Sequence, residues 1–200
     1  VGAWARFLDE FAERLRVEGY APRVVGLYPV QAGRFEAWLH RRGRTSPATV
    51  TPEDCLTFQR ALYYYRTRRN GALAVTSQVS FLTAVRAFTR FLKRAGYALV
   101  DPGLAIESPR TPRHLPRDIM NEDEIAALLL VPDTRTLRGY RDRTMLEVLY
   151  GTGLRIGELL GLDVVDANVT DGWLHIRDAK WGADRVVPIG RTACEYVGGY

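Results

Sequence analysis

Lysine is almost missing from this 200-residue chain, in which 26 arginines stand against two lysines, Lys93 and Lys180. Cysteine and histidine are nearly as sparse. Cys55 and Cys194 lie far apart with no Cys-x-x-Cys spacing, and His40, His114 and His175 are equally scattered. That distribution argues against a zinc site or a disulfide framework and reads both cysteines as reduced core or surface residues. No metal and no other cofactor is expected. No apolar run approaches the length of a membrane span, and the N-terminus has no signal-peptide pattern, so a cytoplasmic protein without a membrane partner is expected. The chain begins at Val1 rather than Met, which suggests a trimmed N-terminus.

With 46% hydrophobic and 26% charged residues, the composition is that of a globular chain with enough apolar material for one large or two small domains. The formal net charge of +5 hides an asymmetry. Residues 1–120 hold 19 Lys/Arg against 10 Asp/Glu, or +9, whereas residues 121–200 hold 9 against 13, or −4. Helix-solvating arginines are common, but an excess of this size concentrated in one half points to a nucleic-acid footprint there.

Helical periodicity dominates the first half. Trp4, Phe7, Leu8, Phe11 and Leu15 mark one helix, stopped at Gly19. Leu27, Tyr28, Phe35, Trp38 and Leu39 mark a second, ending near Gly43, which Pro29 should kink or delay. Thr51-Pro-Glu-Asp54 has the cap, proline and acids of a third start, with the helix expected to run to about Arg69 before Asn70-Gly71. Its tyrosines, Tyr63, Tyr64 and Tyr65, read as packing residues. Ser77 is expected to cap a fourth helix, with Phe81, Val85, Phe88 and Leu92 on one face and Gly96 at its end. Residues 1–100 thus read as a four-helix bundle.

Pro102, Pro109, Pro112 and Pro116 alternate with Arg110, Arg113, His114 and Arg117, so residues 101–118 read as a basic, extended linker. Residues 119–200 read as a second, mixed domain. Asn121-Glu-Asp-Glu124 opens a helix, residues 141–150 form a buried second one, Gly172-Trp-Leu-His-Ile-Arg177 and Arg185-Val-Val-Pro-Ile189 form a hairpin, and residues 191–200 form a last helix. The expected fold class is mainly α, with a small β-hairpin.

Inside the apolar run Gly151-Thr-Gly-Leu-Arg155-Ile-Gly-Glu158-Leu-Leu-Gly-Leu162, Arg155 and Glu158 need explaining. A guanidinium beside a buried helix requires a neutralising partner, and Glu158 is one turn away. A carboxylate orients the guanidinium without using all five donors, and the unused fork suits the non-bridging oxygens of a phosphate. A purely structural Arg–Glu pair is the competing reading. A nucleotide-binding glycine loop fits less well, because the spacing is one residue off the dinucleotide pattern and the preceding segment is helical. Lys180 at the hairpin tip is the other notable residue. Where arginine fills nearly every basic position, a lysine suits a site that must give up a proton, although an ordinary turn lysine is the alternative.

With these motifs in this order, the second domain resembles the tyrosine recombinases, the phage-integrase and Xer-type family. The first domain is similar to that family's helical core-binding (SAM-like) domain, through Tyr28, Phe35 and Trp38 in its second helix and Arg86-Ala-Phe-Thr-Arg-Phe-Leu92 in its fourth. The Ser108-Pro-Arg linker, Leu115-Pro116 and the start at Asn121 fit as well.

The resemblance implies site-specific, metal-free strand exchange on double-stranded DNA through a 3′-phosphotyrosyl intermediate, by a homo-tetramer on two duplexes in the full-length form. It implies that Arg155 binds the phosphate, Glu158 supports it and Lys180 is the general acid. It nominates Arg23, Arg34, Ser77, Gln78, Arg86, Arg90 and Arg113 as DNA-binding residues. The sequence ends before the family's His-x-x-Arg motif and tyrosine nucleophile, so these residues are expected to bind DNA without cleaving it. The alternative is a binding-only occupant or regulator of recombination sites.

Overall fold

A computed structural model describes residues 4–111, 119–179 and 183–200 and divides the chain into two compact units, Val1–His114 and Leu115–Tyr200. In the first unit α1 (Ala5–Val17) ends at Gly19, whose φ of +73° places it in the left-handed region. Its neighbour Tyr20 donates its amide to Leu15 O at 3.0 Å, closing the helix end as glycine-terminated helices commonly do. Trp4, fully buried at the N-cap, spends its indole N–H on Thr45 O at 3.0 Å.

α2 (Pro22–His40) starts earlier than Pro29 suggests, because Pro22 occupies the first turn, where a missing N–H costs nothing. The helix runs through Pro29 and is not delayed by it.

α3 (Pro52–Tyr64) begins as expected, with a capping box in which Thr51 Oγ1 accepts from Asp54 N and Asp54 accepts from Thr51 N. It stops five residues short of Arg69. Cys55, Phe58 and Leu62 exhaust its buried face, and beyond them the chain turns on itself. Thr67 N donates to Gly71 O at 2.9 Å, Asn70 sits at φ 58°, and Arg66 pairs with Ala72. Tyr63, Tyr64 and Tyr65 are 64%, 70% and 54% exposed, so they do not pack the core as the sequence reading held.

α4 (Val75–Arg94) begins before Ser77, which lies inside its first turn rather than capping it; the N-cap is Ala74, with no side-chain bond. Phe88 on this helix meets Phe11 of α1 at a centroid distance of 5.3 Å, and Phe35 of α2 meets Phe58 of α3 at 4.9 Å, so all four helices share one aromatic core. The segment read as the start of the linker folds onto this core: Pro102–Ala105 forms a 3₁₀ turn and Ile106 is buried with the helical residues.

The second unit opens with α5 (Glu122–Leu130), capped reciprocally by Asn121 and Glu124. α6 (Leu137–Thr152) starts four residues before the expected position because Thr136 caps it, accepting from Gly139 N at 3.0 Å. Gly153, at φ +64°, ends it and frees the chain to enter the short α7 (Ile156–Leu160). Strands β1 (Ala167–Asn168), β2 (Trp173–Ala179) and β3 (Ala183–Pro188) form an antiparallel sheet in that order, and α8 (Arg191–Gly199) follows. Leu174 pairs with Val187 and Ile176 with Arg185. Leu174 and Ile176 thereby face Val148, Leu154, Ile189 and Ala193 in a separate small core. The whole is mainly helical with one small sheet, the fold class the sequence implies.

Candidate functional site

Arg155 occupies the N-cap of α7 rather than a place within a buried helix, and its side chain is 60% exposed. Glu158, one turn on, is only 9% exposed. Its carboxylate accepts from Arg155 N at 2.9 Å and from Arg155 Nη1 at 2.7 Å, capping the helix and fixing the arginine in one contact pattern.

Two further bonds come from across the unit. Arg185 on β3 donates from Nη1 to Glu158 Oε1 at 3.1 Å and from Nη2 to Oε2 at 2.8 Å. Glu158 therefore accepts four hydrogen bonds, the full lone-pair capacity of a carboxylate. The paired bonds from Arg185, followed by those from Arg155, hold its pKa down at about 2. A saturated, strongly acidic carboxylate is unfit as a proton acceptor near neutral pH; what it does is hold two guanidiniums.

The two guanidiniums differ in what remains free. Arg185 is committed to Glu158 through both terminal nitrogens. Arg155 spends one side-chain nitrogen, so among the described residues most of its donor fork faces solvent and can accept an anion.

Sequence reading singled out Arg155 and Glu158 as a pair but missed Arg185 as a site residue. The signal was there. Arg185 is in phase with Val187 and, by register, lies opposite the buried Ile176, so the alternation of β3 aims a charge at the apolar side, where only an acid can satisfy it.

A second carboxylate anchors the base of the sheet. Asp166, 2% exposed, accepts from Asp163 N at 2.9 Å and Arg177 Nε at 2.7 Å, and these bonds lower its pKa. On that side of the sheet His175 Nε2 lies 3.4 Å from Asp184 Oδ2. The Arg177–Asp166 bond joins the turn before β1 to β2, and the His175–Asp184 contact joins β2 to β3.

The DNA-binding nominees fall into separate places on the first unit. Arg23 and Arg34 are exposed and, eleven residues apart, share a stripe of α2. Arg34 lies over the Phe81 ring at 5.5 Å, and Ser77 sits one turn before Phe81 on α4. Gln78 is buried, its amide donating to Leu73 O at 2.8 Å. Arg86 and Arg90 stand on another side of α4, nine or more residues and about half a turn from Ser77. Arg90 borders a recess with Arg14, Glu18 and Arg94. Lys180 and Arg113 lie outside the described residues.

Comparison with known proteins agrees with this architecture. A lambda integrase(75-356) dimer bound to a COC′ core site aligns with a TM-score of 0.63 at 17% identity, covering 92% of this chain and 59% of that one, which shows a shared fold. Residues 118–200 match the profile of the phage integrase family. The tyrosine recombinase XerC 2 of Ralstonia nicotianae is 36% identical over 98% of this chain and 56% of its own length. The tyrosine recombinase XerD of Staphylococcus saprophyticus is 33% identical over 96% of this chain and 63% of its own. The chain belongs to the tyrosine recombinase family. It spans less than two thirds of the length of these two curated relatives.

Proposed function

We propose that this chain is the DNA-binding and phosphate-activating part of a site-specific recombinase. The observation that carries the reading is the Arg185–Glu158–Arg155 chain: a saturated carboxylate positions a guanidinium whose remaining donors are exposed. Such a group fits the non-bridging oxygens of a phosphodiester and gains strength as charge builds on them in a pentacoordinate transition state. A structural pair would have no use for the open fork.

In the proposed reaction a tyrosine hydroxyl attacks the phosphorus. The Oη–P bond forms as the P–O5′ bond breaks, and the phenolic proton passes to solvent water. Lys180 gives its proton to the departing 5′-oxygen, leaving a 3′-phosphotyrosyl link and a free 5′-hydroxyl. Attack by the 5′-hydroxyl of a second strand reverses these events and joins the new pair. In this reading the phosphate and leaving oxygen are served by Arg155 and Lys180, while the charge of Arg185 is taken up by Glu158.

The nucleophile is assigned to the portion of the longer relatives that these 200 residues do not span. Tyr196 is ill suited to the role, since its ring packs at 5.5 Å from that of Tyr140 and 5.1 Å from the Arg143 guanidinium. The first unit is proposed as the core-binding domain, with α2 and α4 supplying Arg23, Arg34, Ser77, Arg86 and Arg90 to duplex DNA. Four copies of the longer protein on two duplexes form the proposed working assembly.

The test is to incubate the 200-residue chain with duplex DNA. Salt-dependent binding without a covalent protein–DNA adduct is expected; an adduct would refute the placement of the nucleophile.

A further inference from the structure

Between Asp54 and Asp101 there is no acidic residue, yet eight basic ones occur there: Arg60, Arg66, Arg68, Arg69, Arg86, Arg90, Lys93 and Arg94. Three of them crowd into the turn that joins α3 to α4. We infer that this turn is a second grip on duplex DNA, in which Arg68 and Arg69 contact backbone phosphates in addition to the residues of α2 and α4. The inference rests on the DNA-binding reading above and extends it to a surface that reading does not use.

The turn is built, not loose. Thr67 N and Oγ1 both donate to Gly71 O, at 2.9 and 3.2 Å, and Asn70 N donates to Thr67 O at 2.8 Å. Asn70 adopts the left-handed φ of 58° that this closure requires and that asparagine tolerates better than most residues. Arg66 pairs with Ala72 across the base, and its Nη1 leans on Tyr64 O at 3.4 Å.

What the turn holds out is charge without a counter-charge. Arg66, Arg68 and Arg69 are all exposed, and among the described residues no carboxylate pairs with any of them. Like charges so close in a fixed turn repel each other until an anion arrives. A regular polyanion is the ligand that satisfies several at once.

The neighbouring tyrosines fit the same partner. Tyr63, Tyr64 and Tyr65 leave the end of α3 into solvent, where they are not core residues, and phenolic hydroxyls join arginine among the side chains that bond phosphate and sugar oxygens. The acid-free stretch continues through α4 to Asp101, so no carboxylate from this part of the sequence offsets the charge of the turn.

Phosphate contacts carry no sequence information, which gives the inference a distinctive signature. Each lost contact lowers the slope of log affinity against log salt by about 0.9. The Arg68→Ala/Arg69→Ala chain should therefore bind a mixed-sequence duplex with a slope smaller by about 1.8 than the parent. The Arg68→Lys/Arg69→Lys chain keeps both charges and should keep the parental slope. Circular dichroism of each variant should match the parent, as the side chains are exposed.

An unchanged slope in a folded alanine variant would overturn the inference while leaving the DNA-binding reading intact. Loss of binding to single-stranded DNA alone would also overturn it, assigning the surface to base stacking. Failure of the parent chain to bind duplex DNA at all would overturn both.

Discussion

Arg185 on β3 grips Glu158 of α7 through both terminal guanidinium nitrogens, at 3.1 and 2.8 Å, and Glu158 in turn holds Arg155. The proposed phosphate ligand thus takes its position from a residue 30 positions later, on a different element. Within the proposed site Arg185 is therefore read as a positioning residue.

That relay has a pH signature. The folded-state pKa of Glu158 is lowered to about 2, with the Arg185 hydrogen bonds the largest cause. A lowered carboxylate pKa contributes stability that is complete above the unfolded value, about 4.3, and is lost as pH falls from there through about 2. Arg185→Ala should raise the Glu158 pKa toward the ordinary carboxylate range and move the acid-induced loss to higher pH. Carbon-13 NMR titration of the Glu158 carboxyl measures this directly; an unmoved pKa would count against the relay.

Side chains at the two ends of the burial scale should differ sharply in what truncation costs. Phe88 is fully buried against Phe11, Phe91 and Trp4, so Phe88→Ala should cost the first unit about 3–5 kcal/mol. Tyr64 is 70% exposed, and Tyr64→Ala should change stability by no more than about 0.5 kcal/mol. Urea denaturation of both variants settles whether the tyrosine run belongs to the core.

Lys180 is assigned proton donation to the 5′-oxygen, so its removal should matter only when the leaving group needs a proton. In the full-length recombinase, Lys180→Ala should slow cleavage of an ordinary phosphodiester by about 10²–10⁴-fold. A substrate with sulfur at the 5′ bridging position loses a far less basic group and should be cleaved at near the parental rate. Equal impairment on both substrates would assign Lys180 to binding.

Local chemistry made much of the fold legible in advance. Thr51-Pro-Glu-Asp54 and Asn121-Glu-Asp-Glu124 announce their helices because capping is decided within four residues. Gly19 and Gly96 mark stops because their left-handed φ is a local demand. The errors lie where tertiary structure decides. α3 ends at Tyr64 because its buried face is used up, which depends on what packs against it. α4 starts at Val75 without a side-chain cap, so nothing in the sequence advertised it. The site divides in the same way. Arg155 and Glu158, three residues apart, are readable as a pair, whereas Arg185 joins them only through the register of β2 with β3.

The central claim is that Arg155 serves a phosphate and not the fold. The direct measurement is covalent protein–DNA adduct formation by the full-length recombinase on a nicked duplex carrying its site, with Arg155 intact and with Arg155→Ala. The account predicts that the substitution abolishes the adduct while duplex binding and thermal stability stay near parental values. Loss of binding and folding together with the adduct would make Arg155 a structural residue and contradict the account.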